Sequence, residues 1–332
     1  MKRALVTGGC GFIGSHLVDH LIKNDFEVNV LDNMSTGRKS NLDNLADSKK
    51  IRLFEGDLQD TKIVRDSIID CQYVFHLAAL ADIVPSIENP LGYFSTNVVG
   101  TVNLLEVARN FKLKKFVYSA SSSCYGIPND YPTPETSEIK PQYPYAFTKW
   151  AAEQAVLHWG KVYGLPVVSL RLFNVFGTRS RTSGTYGAVF GVFLAQKLAG
   201  KPLTIVGDGS QTRDFTYVTD VANAFLKAAQ SDVINEIFNV GSRNTYSINQ
   251  LTSLLGGEIT HIPKRPGEPD YTFADTKKIE SVLNWLPEVS FEQGVKNMLE
   301  NISFWKGAPV WDPESIREAT KEWFSLLGNN DD

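Results

Sequence analysis

The chain has 332 residues, 42% of them hydrophobic, and a formal net charge of -4. That is enough apolar material for a full core, and it leaves no basic field for nucleic acid. Cys10, Cys71 and Cys124 have no metal-type spacing and an odd count, which suits free thiols in a reducing compartment better than a disulfide framework. The opening "MKRALVTGG" reaches glycine too soon for a signal-peptide core, and no later stretch approaches the ~18 apolar residues of a membrane span. The expectation is a cytoplasmic protein with neither nucleic acid nor membrane as partner.

Apolar runs "RALVTG", "EVNVLD", "IRLFEGD", "QYVFHLAA", "KKFVYSAS" and "PVVSLRLFN" alternate with helix-period stretches at about 12–24, 61–69, 89–111 and 145–163. Parallel strands need crossover helices, so this alternation predicts a doubly wound α/β fold with a parallel sheet covered on both faces. After Asn174 comes the polar loop "GTRSRTSGTYGAVF", then a helix to Ala199 and the strand "PLTIVG". Helix-like "TDVANAFLKAAQ" and strand-like "EIFNVG" then read as additions to the main sheet. The predicted division is residues 1–176, with 216–240 returning to them, and a smaller mixed α/β lobe from the rest of 177–332. In "WDPESIREATKEWFSLLG", Asp312 as N-cap, Pro313 in the first turn and Gly328 as stop predict one amphipathic helix that serves packing alone.

"VTGGCGFIGSHL" places Gly8, Gly11 and Gly14 between the first strand and the first helix. Glycine there lets backbone amides and a helix N-terminus approach a pyrophosphate. Asp32 ends the second strand, 18 residues after Gly14, where a carboxylate can hold a ribose diol. It favours NAD over NADP, whose 2'-phosphate it would repel; Arg38 is the nearest arginine. Asp57 in "EGDLQD" reads as a second cofactor contact or as a helix cap, and small Ala78 and Ala79 in "HLAALA" keep the crevice open.

"YAFTKW" sets Tyr145 and Lys149 four apart on one helix face, about 5–6 Å between Cβ atoms. A nearby ammonium favours phenolate and moves a phenol toward use as a base at neutral pH. The run Ser119, Ser121, Ser122 and Ser123 closes the fifth strand just before it.

Together the glycine loop, Asp32, "HLAALA", "SASSSCYG", "YAFTK" and "RLFNVFG" resemble the extended short-chain dehydrogenase/reductase family, within it the nucleotide-sugar epimerases and dehydratases. The similarity runs through nearly the whole chain, and "GDGSQTRDFTYVTDVANAF" and "KRPGEPDYTFADTKK" match that group's substrate lobe. The resemblance implies that Gly8, Gly11, Phe12, Ile13, Gly14, Asp32, Asn33, Asp57, Leu58, Leu77, Ala78 and Ala79, with Tyr145 and Lys149, contact NAD. It implies that Tyr145 takes a proton from a sugar hydroxyl, usually at C4, while Ser121 hydrogen-bonds that hydroxyl and Lys149 tunes the tyrosine. Asn174, Arg213 and Arg265, with Ser122 and Ser123, would bind a nucleotide-diphosphate sugar. A surface ion pair is the alternative for each arginine, with Asp214 in the case of Arg213. No metal is expected.

The resemblance also separates reactions. Dehydratases of the group carry an acid pair where this chain has Ser122 and Ser123, so a 4-epimerase acting on a UDP-hexose or UDP-N-acetylhexosamine is favoured. Thr272 falls where hexose-restricted epimerases carry tyrosine, leaving room beside C2 for an N-acetyl group. A C4 dehydrogenase or reductase, a 4,6-dehydratase and a non-catalytic NAD-binding regulator stay open as alternatives. Cys124 reads as a buried, inert thiol. Arg179 and Arg181 would touch substrate, a neighbouring subunit or water. The stripe Val98, Val102 and Leu105, with Leu104 and Ala108 beside it, fits either core burial or the homodimer contact the resemblance implies.

Overall fold

The computed structural model describes residues 2–46, 48–180 and 188–328. The chain opens with β1 (Lys2–Thr7), α1 (Phe12–Lys23), β2 (Phe26–Asp32), β3 (Ile51–Glu55), α2 (Thr61–Ile68) and β4 (Tyr73–His76). Next come α3 (Ile83–Glu88), α4 (Pro90–Phe94), a π turn (Ser95–Val99), α5 (Gly100–Ala108), β5 (Lys115–Ser121), α6 (Pro144–Tyr163), β6 (Val167–Leu172) and β7 (Val175–Phe176). The rest supplies α7 (Val189–Leu198), β8 (Leu203–Val206), β9 (Thr212–Arg213), β10 (Thr216–Tyr217), α8 (Val218–Gln230) and β11 (Glu236–Val240). It ends with β12 (Tyr246–Ser247), α9 (Ile248–Leu255), β13 (Ile259–Ile262), α10 (Lys277–Leu283), α11 (Phe291–Glu300), α12 (Pro313–Ala319) and α13 (Lys321–Leu327).

Seven strands form one parallel sheet in the order β3-β2-β1-β4-β5-β6-β11. The strand order reverses between β1 and β4, where Thr7 lies beside His76, and this switch opens a crevice beyond the carboxyl ends of the strands. Side-chain alternation explains why the strands are apolar on both faces. Ala4 and Val6 of β1 pack with Leu17, Leu21 and Phe225 on one side, while Leu5 packs with Val64, Leu104 and Val156 on the other.

β11 extends this sheet, registered on β6, and α8 packs against α1. Ile279, Leu283 and Trp285, from the stretch the sequence placed in the substrate lobe, also enter the core beneath it. A separate cluster around Phe176, Phe190, Phe215, Phe291 and Trp305 organises the short pairs β7–β10, β9–β12 and β8–β13.

Two elements differ from expectation. The helix expected over 89–111 is interrupted by the π turn, which aims Asn97 inward. The single helix expected at 312–328 is two: Asp312 does cap α12, but at Thr320 the chain leaves helical geometry (φ -103°, ψ 4°) and its hydroxyl bonds back to the Ile316 carbonyl at 2.8 Å. That bend lets Ile316 join the Phe176 cluster while Trp323 turns to a different neighbour. In the stripe on α5, Leu104, Leu105 and Ala108 are core residues with no exposure. No helix among the described residues is long and apolar enough to cross a membrane.

Candidate active site

The crevice at the strand switch is a cleft of about 340 Å³ that opens onto a second one of about 540 Å³, the two sharing Phe12, Ile13, Leu77, Ala79 and Ser119 in their walls. Gly8 has φ +69°, and a Cβ built on it would stand 2.7 Å from the Ala78 nitrogen; one on Gly14 would stand 2.1 Å from the Gly8 carbonyl oxygen. Only glycine permits this approach, which leaves the first amides of α1 facing the cleft, with Gly11 at the N-cap offering no side chain to satisfy them. Such a cradle suits a pyrophosphate.

The Asp32 carboxylate accepts hydrogen bonds from the amides of Cys10 at 3.0 Å and Met34 at 2.9 Å. Burial raises its pKa, and those two amides hold the rise back. Asn33 donates to Asp57 at 2.7 Å. The cap of α2 is Asp60, which accepts from Lys62 and Ile63, so the helix-cap reading of Asp57 falls; Asp57 accepts from the Gln59 amide at 2.9 Å and lines the cleft. Leu58 and Ala78 complete the wall with the other cofactor-side positions read from the sequence. Arg38 also lines it, its guanidinium 5.2 Å from the Phe304 ring centre.

The second cleft brings Ser121, Ser122, Ser123, Tyr145, Lys149, Asn174, Arg213, Arg265 and Thr272 together. Pro144 pre-sets the first turn of α6, so Tyr145 and Lys149 enter it on one face. Tyr143 lies parallel to Tyr145 at 6.5 Å and Tyr93 meets it edge-on at 6.4 Å. Burial raises the Tyr145 phenol, opposed by a hydrogen bond from Ser121. Burial likewise lowers Lys149 to about 7, opposed by the carboxylate of Glu153. Ser121 accepts from the Ser123 amide at 3.3 Å and its hydroxyl lies 2.8 Å from that of Ser123, so Ser123 orients it.

Several contributors escaped the sequence reading. The Lys149 ammonium sits 4.5 Å from the centre of the Tyr118 ring. Glu153, one turn beyond Lys149, takes a forked pair from Arg171 at 3.1 and 2.6 Å and a bond from Ser169 at 2.7 Å, all buried. Asn97 accepts from the Leu80 amide at 2.8 Å and donates to Thr148 at 3.0 Å, tying the loop after β4 to α6. A polar residue inside an apolar helical run was the one available signal for Asn97.

At the far end, Thr272 donates to Asn174 at 2.8 Å and accepts from the Asp214 amide at 3.1 Å. The Asp214 carboxylate is engaged by the amides of Ser242 at 2.6 Å and Ala274 at 3.0 Å, and burial lifts its pKa to about 6. Asp214 is therefore not the ion-pair partner of Arg213, which donates to the Thr212 carbonyl at 3.0 Å. Arg265 is largely buried, 3.4 Å from Glu268, rather than out on the surface. Arg179 pairs with Asp19 of α1 at 2.8 Å; Arg181 lies outside the described residues. Cys10, Cys71 and Cys124 are free and buried, each pushed up to about 12 chiefly by burial, so none is a ready nucleophile.

The family model for GDP-mannose 4,6 dehydratase matches residues 5–298. The chain belongs to this family. Among curated proteins it is 38% identical over 302 residues to a putative UDP-glucose 4-epimerase of Methanocaldococcus jannaschii, covering 89% of this chain and 96% of that one. The UDP-N-acetylglucosamine 4-epimerase of Methanobrevibacter ruminantium, solved with UDP-N-acetylmuramic acid, superposes with TM-score 0.84 at 35% identity over 90% of this chain and 99% of its own. The UDP-glucuronic acid 4-epimerase of Bacillus cereus, solved with UDP-glucuronic acid and NAD, gives 0.85 at 32% over 91% and 99%. Membership in a family named for a dehydratase leaves the reaction to be argued from the site.

Proposed function

We propose that the chain is an NAD-dependent nucleotide-sugar 4-epimerase, acting on a UDP-hexose or UDP-N-acetylhexosamine through a transient 4-keto sugar. One observation carries the reading: Tyr145, Lys149 and Ser121 line a cleft that opens onto the glycine cradle, and the adjacent Ser122 and Ser123 supply no carboxyl pair for dehydration. Elimination needs an acid and a base at neighbouring sugar carbons, and hydroxyls without an activating partner do not serve.

The glycine loop amides would hold the pyrophosphate of NAD, Asp32 a ribose diol, and Leu58, Ala78 and Ala79 the walls around it. When bound, NAD supplies reversible hydride exchange at the sugar carbon. Tyr145 removes the C4 hydroxyl proton, Ser121 holds that oxygen in line, and the Lys149 ammonium stabilises the phenolate. Tyr145 then returns the proton after the keto sugar has presented its other face. Asn174, Arg213 and Arg265 hold the diphosphate, whose grip lets the sugar turn without leaving.

In this reading residues 1–176, with 216–240, form the NAD-binding domain, which also brings Ser121, Tyr145 and Asn174 to the substrate, and the rest of 177–332 forms the substrate-binding lobe. Thr272, shorter than tyrosine and tied to Asn174, leaves space beside C2 for an acetamido group. A homodimer in the cytoplasm is the proposed setting: α4 and the π turn pack against α6, and they leave Leu91, Phe94, Val99 and Phe147 exposed. The test is incubation with UDP-, GDP- and dTDP-sugars, resolving products by NMR while following nicotinamide absorbance. Inverted C4 without net cofactor reduction is expected; a 6-deoxy or released keto product would overturn the proposal.

A further inference from the structure

The family model stops at residue 298, yet the chain continues through α12 and α13, and this continuation returns to both clefts. Ala308, Pro309 and Trp311 line the cofactor cleft, and Trp323 lines the substrate cleft. Trp323 is 2% exposed, but it belongs to none of the hydrophobic clusters that bury the other large side chains of the substrate side. Its neighbour is instead an arginine: the Arg265 guanidinium lies 5.6 Å from the ring centre. The indole nitrogen donates to the Pro266 carbonyl at 2.9 Å, one residue on.

The stretch that carries Arg265, "HIPKRPGEPDYTF", has little regular structure beyond the end of β13. A long cation on an irregular loop loses much rotamer freedom when it grips an anion. Here the loss is met in advance, because the ring fixes the guanidinium and the indole N–H fixes the backbone beside it. α13 also packs against α3, whose Ile83 and Val84 line the same cleft. α13 thus reaches from the arginine loop to the crevice side of the main sheet.

We propose that Trp323 is a positioning residue for substrate binding: α13, which lies past the family model, holds Arg265 in the geometry that receives the diphosphate of the nucleotide sugar. This rests on the reading of Arg265 as a phosphate ligand, and the experiment separates the two. Full-length Trp323→Ala, Trp323→Phe, Arg265→Ala and the Arg265→Ala/Trp323→Ala double variant are compared with the parent, all loaded with NAD. UDP affinity is read by calorimetry and KM and kcat are read with UDP-glucose and UDP-N-acetylglucosamine.

Trp323→Ala should weaken UDP and raise KM about 10-fold with kcat within about 2-fold, as expected for a preorganising contact. Trp323→Phe, which keeps a ring but loses the N–H, should fall between. In the Arg265→Ala background, removing Trp323 should cost nothing further. An additive loss in the double variant, or a Trp323→Ala or Trp323→Phe protein that changes kcat or thermal stability at constant KM, makes Trp323 merely structural and overturns the proposal. Should Arg265→Ala itself leave UDP affinity unchanged, the phosphate reading fails first and the proposal falls with it.

Discussion

The two clefts are built differently. The cofactor cleft lies against the carboxyl ends of parallel strands, its glycine loop locked between β1 and α1 by contacts too close for any other residue. The substrate cleft shares the end of β5 and the start of α6 with that sheet, but its far side is assembled from short strand pairs, the irregular 263–276 segment and a helix past residue 298, held by single hydrogen bonds such as Thr272 to Asn174. The first design fixes one ligand; the second leaves specificity adjustable by changing a side chain.

The comparison is tested first where the clefts meet. Tyr145→Phe should lower kcat about 10³-fold with KM and NAD content little changed, as for loss of a general acid–base group; steady-state kinetics and cofactor release on denaturation check this. Glu153→Gln strikes the support beneath it. Breaking that buried pair leaves Arg171 without its counter-charge, so a loss of about 3–5 kcal/mol in urea unfolding is expected, and Glu153→Gln/Arg171→Met should recover part of it.

Asp214 makes a pH-dependent difference on the substrate side. Its pKa is about 6 in the folded protein against 3.8 in the unfolded one, so the native state binds the extra proton between those values. Its contribution to stability is therefore greatest below pH 4 and is lost as pH rises to 6, and the melting curve of Asp214→Asn should lack that slope. On the cofactor side Asp32→Ala should relax the preference for NAD over NADP by about 10-fold, read by displacement titration, because the repelling carboxylate is gone while Arg38 remains in the wall.

What the sequence disclosed follows the same division. That Gly8, Gly11, Gly14 and Asp32 share one cleft was legible because a strand–turn–helix crevice at a strand switch is lined largely by neighbours in sequence, and that Tyr145 and Lys149 share a face because one helical turn sets their spacing. Asn97 was not, since its role comes from a contact with Leu80 across a π turn that no periodicity announces. Nor was Trp323: Asp312 and Gly328 marked the ends of a helical stretch correctly, but the break at Thr320 that aims the indole at Pro266 depends on tertiary packing. Asp57 shows the opposite case, where two local readings were equally good and the cap already provided by Asp60 removes one of them.

The most direct measurement follows one atom. A UDP-sugar substrate deuterated at C4 is converted in the presence of an unlabelled one, and the epimer is examined by NMR and mass spectrometry. If the hydrogen leaves C4 and returns within one closed site, the product keeps its deuterium at an inverted C4, with no crossover between labelled and unlabelled sugars. Deuterium lost to solvent, found at C6 or left in released cofactor would contradict epimerisation at this site.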